Sequence, residues 1–366
     1  MVDIKTVVFF VGTVIACSLC ASSADKKPKT WKVVLIIAIL TFVAGCRANT
    51  VGNDTMGYYY MFYTNGTYGY IRENMFTYYI KILMSIFDDA NICILFSSLL
   101  TNALIISGFW KIRHIIKFKY NVIAYVCIPF FLTMSGLRQW LAIAIVVYFF
   151  DLLIQQKYTK FALAVAAASL FHTSVLIALM YLVIFVVVEK GYLKTGNKNF
   201  KRFLVAVAAI PVFYFVVRYT LSEYSGYLTN VDAANRGGSL MNIFRVIILV
   251  IYGAFSHVYE GTIRYKVLHN DNVWLYAKKQ TVLRAAFWGY LFYVALCFVG
   301  QYVDNIARIA WPFLITQGFI FGAFDEHKAD WGKVGKILCV ILFVYYVYST
   351  IVYDGNGLTP YMLFWE

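Results

Sequence analysis

The stretch KYTKFALAVAAASLFHTSVLIALMYLVIFVVVEK, residues 157–190, decides how the chain is threaded. Lys157 and Lys160 stand at its start, and Lys190, Lys194, Lys198, Lys201 and Arg202 gather at and beyond its end. The apolar run between them, 160–188, is too long for one ordinary span and too short for two full ones. A helix of about 12 residues rises about 18 Å, well short of a hydrocarbon core of about 30 Å. Both basic flanks belong on the cytoplasmic side. The run is therefore expected to form two short limbs meeting near Phe171-His172-Thr173, a broken or re-entrant hairpin over 160–188. Non-helical backbone at membrane depth is tolerated where protein or a cavity satisfies it.

The rest of the 366-residue chain has the same character: 61% is hydrophobic, 19% aromatic and only 14% charged. Soluble domains carry about 25% charge, so this composition excludes a soluble enzyme, a disordered chain and a disulfide scaffold. Apolar runs fall at 5–22, 31–46, 89–110, 121–135, 138–154, 160–188, 203–218, 241–257, 282–300, 305–324 and 335–352. The reading is an all-α polytopic membrane protein of about 11–12 transmembrane or partial helices, one transmembrane domain over 1–366. Residues 5–22 are read as a retained first span, because the flank before them is too weakly charged for a signal peptide.

The net charge of +14 sits in short loops at 26–32, 111–119, 157–160, 190–202, 264–284 and 328–336. Placing these loops inside, with the hairpin, puts both termini outside. No basic aromatic face marks a nucleic-acid site, so no nucleic acid is expected. The seven cysteines all lie in or beside apolar runs and read as small packing residues. No His/Cys cluster has ligand spacing, and Asp88-Asp89 makes no Asp-x-Asp site, so neither metal nor cofactor is expected.

The same topology gathers a different set of polar residues on the outer side. An outer loop with an amphipathic helix, 47–88, carries Asp54, Tyr58, Arg72 and Glu73. Arg138 and Gln139 open a span after the abrupt corner Ser135-Gly136. His172 stands at the hairpin tip, Arg218 ends a span, Arg236 lies in an outer loop and Arg308 sits one turn inside a span. Ionisable groups inside a membrane each carry an insertion cost of about 2.5–3.5 kcal/mol and mark function by default. Arg presents a planar fork suited to phosphate, so several at one surface suit a lipid-borne pyrophosphate. Boundary arginines also serve as snorkelling anchors, and the tyrosines of 58–70 as an interfacial belt as well as rings for stacking on sugars.

Ser135-Gly136-Leu137-Arg138-Gln139-Trp140-Leu141-Ala142, followed by Ala167-Ala168-Ser169-Leu170-Phe171-His172-Thr173-Ser174, resembles the EpsG family of Wzy-like bacterial polysaccharide polymerases, with its Arg-Gln and Phe-His-x-Ser elements. Asn53-Asp54, Tyr58, Glu73-Asn74-Met75-Phe76 and Asp304-Asn305-Ile306-Ala307-Arg308 resemble its flanking elements. The resemblance implies a GT-C-like glycosyltransferase of the bacterial cytoplasmic membrane. It would join polyprenyl-pyrophosphate-linked oligosaccharide repeats on the periplasmic or extracellular side, with a chain-length regulator protein and membrane lipid as further partners. In that chemistry Arg138 and Arg308 face the departing pyrophosphate, with Arg218 or Arg236 helping to hold it. His172 is the expected general base and Glu73 or Asp54 the alternative. Gln139, Arg72 and Tyr58 complete the expected pyrophosphate and sugar contacts. A lipid-linked oligosaccharide flippase and an O-antigen-ligase-like enzyme are the competing readings.

Overall fold

The computed structural model describes residues 3–68, 74–190, 242–255, 273–300, 306–324, 330–352, 354 and 357–366. Among those residues it is helical throughout, apart from one isolated antiparallel bridge between Arg47 and Leu363. Five helices are long and apolar enough to cross a membrane, six if one bent pair counts as a span, and five shorter apolar helices accompany them. The chain is a polytopic helical membrane protein. It divides into two compact units, Met1–Leu179 with Cys339–Glu366, and Met180–Leu338.

The first unit is built on α1 (Ile4–Lys26), α2 (Thr30–Gly45), α3 (Thr55–Tyr63), α4 (Asn74–Phe87), α5 (Ala90–Lys111), α6 (Phe118–Cys127), α7 (Pro129–Ser135), α8 (Leu137–Tyr148), α9 (Asp151–Ile154) and α10 (Tyr158–Ser169). Acidic caps start two of the long helices. Asp3 accepts from the Lys5 and Thr6 amides, and Asp89 from those of Asn91 and Ile92. Asp88-Asp89 is thus partly a helix cap. The run at 121–135 is not one straight helix: α6 and α7 meet at 45°. Pro129 lacks an N–H, so it cannot continue the ladder of α6 and instead starts α7.

Small residues let the long helices approach closely. A Cβ on Gly108 would lie 2.6 Å from the Val147 oxygen and 3.0 Å from Tyr148 Cα, so the α5 and α8 backbones are in direct contact there. Gly45 does the same for α2 against Leu95 of α5. This is the packing expected where lipid supplies no hydrophobic drive between helices.

Side-chain contacts sort the first unit into two ends. At one, Asp25 accepts from the Phe118 and Lys119 amides at 3.0 Å each, and Lys111 donates to the Tyr148 oxygen at 3.1 Å with Asp151 at 3.9 Å. Three lysine-bearing loops therefore share that end. At the other end of α1, Thr6 accepts from the Tyr361 amide at 2.7 Å, while the Tyr361 hydroxyl donates to Val43 O at 2.9 Å. The tail from Asp354 onward thus straps the start of the first loop. Ala48 donates to Met362 O, Phe364 to Cys46 O and Gly52 to Gly357 O, at 2.7, 2.9 and 2.6 Å.

α10 stops at Ser169, His172 is extended (φ −156, ψ 114), and a 3-10 segment, Thr173–Ala178, precedes α11 (Leu179–Glu189). α11 leads into the second unit, which holds α12 (Asn242–Phe255), α13 (Val273–Val299), α14 (Ile306–Ile309), a 3-10 segment Trp311–Ile315 and α15 (Thr316–Phe324). The run at 305–324 is therefore broken, with Pro312 inside the break. Tyr181 donates to the Pro312 oxygen at 3.0 Å, and Gly289 leaves the space its ring needs against Thr316. α16 (Asp330–Tyr346) and a π-helical turn, Val347–Val352, return the chain to the first unit.

Candidate functional site

The candidate site lies in the first unit, at the end opposite the lysine-bearing loops that Asp25 and Asp151 join. It starts from the corner at Gly136, where α7 stops and α8 begins. The second and third residues of α8 are Arg138, half-buried, and Gln139, buried.

The guanidinium of Arg138 lies 5.8 Å from the ring centroid of Phe76 on α4. Phe76 stacks on Tyr79 at 5.8 Å, and Tyr79 meets Phe171 edge-on at 5.9 Å. Tyr58 on α3 also meets Phe76 edge-on, at 6.3 Å. The Tyr79 hydroxyl donates to Ser97, 2.8 Å away, whose own proton goes to the Cys93 carbonyl. These rings form a fixed apolar floor under a cation. An aromatic face under a guanidinium holds its plane.

A polar chain runs beside the rings. Gln139 Nε2 donates to Ser174 Oγ at 3.1 Å, and Ser174 Oγ lies 2.8 Å from His172 Nδ1. The serine oxygen accepts from Gln139 and can either donate to Nδ1 or accept from it, according to the ring's tautomer. A neutral imidazole that accepts at Nδ1 carries its proton on Nε2. The contact orients the His172 ring from its Nδ1 side. Asp54 is half-buried and stands immediately before α3, its carbonyl accepting from the Tyr58 amide at 3.1 Å.

The structure thus brings Arg138, Gln139, His172 and Tyr58 together, with Asp54 one turn from Tyr58. Arg308 belongs to the second unit, where it is exposed, 5.7 Å from the Trp311 ring. Arg72, Glu73, Arg218 and Arg236 lie outside the described residues. Among the described residues no group of His, Cys, Asp or Glu is placed to hold a metal ion.

Two arginines escaped the sequence reading. Arg47 follows the run 31–46 and is 3% exposed. Burial lowers it from its ordinary value to about 10, so it remains cationic at neutral pH. Arg245 lies one turn into α12, donates to Asn242 and sits 5.0 Å from the Tyr293 ring. A charge inside an apolar run was the signal that flagged Arg308, and it applies equally to Arg245.

The family model described as EpsG family matches residues 30–363. No curated protein and no solved structure matches the chain.

Proposed function

Because the chain belongs to the EpsG family, which is associated with exopolysaccharide biosynthesis, we propose that it is the polymerase that extends a lipid-linked glycan. The donor is a growing chain on polyprenyl pyrophosphate. The acceptor is a hydroxyl of a fresh lipid-linked repeat. The acceptor oxygen attacks the anomeric carbon, the bond from that carbon to the pyrophosphate breaks, and polyprenyl pyrophosphate leaves with the electron pair.

The observation that carries this reading is the meeting of Arg138 with the Gln139–Ser174–His172 chain on one aromatic floor. Negative charge grows on the departing pyrophosphate. A preorganised donor aimed at that charge is worth about 2.7–4 kcal/mol. Arg138 supplies it. His172 takes the proton of the attacking hydroxyl as general base, and Glu73 or Asp54 is the alternative. The positive-inside rule puts the lysine end in the cytoplasm, so chain extension takes place on the outer side, where lipid-linked repeats present their sugars. A flippase is the weaker reading, because ion-coupled transporters place acids near mid-membrane, and among the described residues the acids stand at helix ends and in loops.

The test uses the lipid-linked oligosaccharide that accumulates in cells deleted for the gene. Purified protein in liposomes should convert it to a ladder of longer chains, and Arg138→Ala should lower the rate about 10²–10³-fold. A wild-type protein that moves the lipid across the bilayer without lengthening it would overturn the reading.

A further inference from the structure

Arg47 is a buried cation at the start of the first outer loop, and the acceptors of its hydrogen bonds are uncharged oxygens. Nη1 donates to the Ala44 carbonyl, Nη2 to Met134 O at 2.8 Å and Nε to Val51 O at 3.2 Å. Nε and Nη2 both reach Thr55 Oγ1 at 3.3 Å. The Thr55 hydroxyl lies 2.7 Å from Val51 O and 3.0 Å from Met134 O, closing the knot. A buried charge needs compensation. Ala44 and Met134 are in the last turns of α2 and α7, where the helix dipoles present their negative ends.

The knot joins three pieces of chain that carry no common sequence signal. One is the end of α2. The second is the entry to α3, which holds Asp54 and Tyr58. The third is Met134, four residues before Arg138. Gly52 shows how closely they approach: it has φ +98, and a Cβ there would lie 2.7 Å from Thr55 Oγ1 and 3.1 Å from Met134 O. The carboxyl-terminal strap presses on the same loop, through Gly357 on Gly52 and Met362 on Ala48.

We propose that Arg47 is a positioning residue for chain extension: without touching substrate, it holds the Asp54 and Tyr58 segment in register with the corner that launches Arg138 and Gln139. The proposal rests on the polymerase reading. A guanidinium reaches three carbonyls and a hydroxyl in one plane, whereas the ammonium of lysine is a point charge that reaches fewer.

The experiment compares wild type, Arg47→Lys and Thr55→Val, purified in detergent and given the lipid-linked oligosaccharide from gene-deleted cells. A displacement of about 1 Å at a reacting centre can cost about 100-fold in rate. Arg47→Lys should therefore lose about ten-fold or more in turnover per folded molecule while binding the lipid-linked oligosaccharide within about three-fold of wild type. A purely structural role would lower the yield or melting temperature and leave turnover per folded molecule unchanged, and that result overturns the proposal. If Arg47→Lys does not fold, Thr55→Val decides, since it keeps the cation and removes one acceptor; unchanged turnover again overturns it. If wild type extends no glycan, the polymerase reading fails by itself. The knot is then read by amide hydrogen exchange, where Arg47→Lys or Thr55→Val should raise exchange over 51–58 and 134–139. Unchanged exchange there overturns the positioning role.

Discussion

The two ends of the first unit carry the same sign of charge and use it in opposite ways. At one end are lysines: Lys26, Lys27 and Lys29 are exposed, Lys111 shares Asp151 with solvent, and Lys32 extends back to the Ser23 and Lys27 oxygens. At the other, Arg47 is fully enclosed and Arg138 is held against an aromatic floor. An ammonium is compact and strongly hydrated, so it belongs where the task is to stay in water and fix orientation. A guanidinium is flat, weakly hydrated and rich in donors, so it can be drawn inside and aimed. Charge counting sees one basic protein. The side chains divide it into an end of lysine-bearing loops and an end where arginines are drawn inside.

That contrast is open to direct attack. The largest effect is all-or-none. A cysteine introduced as Asn65→Cys, near the arginine end, should react with an impermeant label on intact cells, and His114→Cys at the lysine end only after permeabilisation. The reverse pattern would exchange the two ends. Next is Arg138→Lys, which keeps the charge and removes the fork. If geometry matters beyond sign, chain extension should fall roughly ten-fold or more with normal insertion; wild-type ladders would reduce the difference between the ends to charge alone. Ser174→Ala should have a smaller effect, about three- to ten-fold on turnover, because it frees Nδ1 and lets the His172 ring change tautomer. Its pH–rate profile should move relative to wild type, and an unmoved profile would remove the relay. Smallest is Asp25→Asn at the lysine end. It weakens two amide contacts and should cost about 1–2 kcal/mol of stability by thermal denaturation, leaving turnover per folded molecule as it was. A loss of turnover there would show that the two ends are not separable.

How much of this was legible in the sequence follows from the range of each interaction. Helix type is a local property, so apolar run lengths were enough to read it. Arg138, Gln139 and His172 were visible because each is a polar side chain at an abrupt place in an apolar context. The breaks at Pro129 and Pro312 were also written locally, yet a window of hydropathy averages over them. Arg47 was hidden for a different reason. At the end of a span it looks like any boundary arginine, and its burial depends on the Met134 carbonyl, 87 positions away. The chain from Gln139 through Ser174 to His172 required the same long-range knowledge, since it joins two segments 35 positions apart. The Phe76–Tyr79–Phe171 floor belongs to this class, because aromatic spacing alone does not distinguish a floor from an interfacial belt.

The strap formed by the last residues has a consequence for how the protein is made. Tyr361 closes onto Val43 from a point 318 positions later in the chain. At elongation rates of about 5–20 residues per second, that interval is about 15 to 60 s. For all of that time the loop bearing Arg47 and Asp54 has left the ribosome without its partner. The end that holds Arg47 is therefore closed only after the helices before the strap have been made, and a nascent chain cut short before the strap would leave that end open.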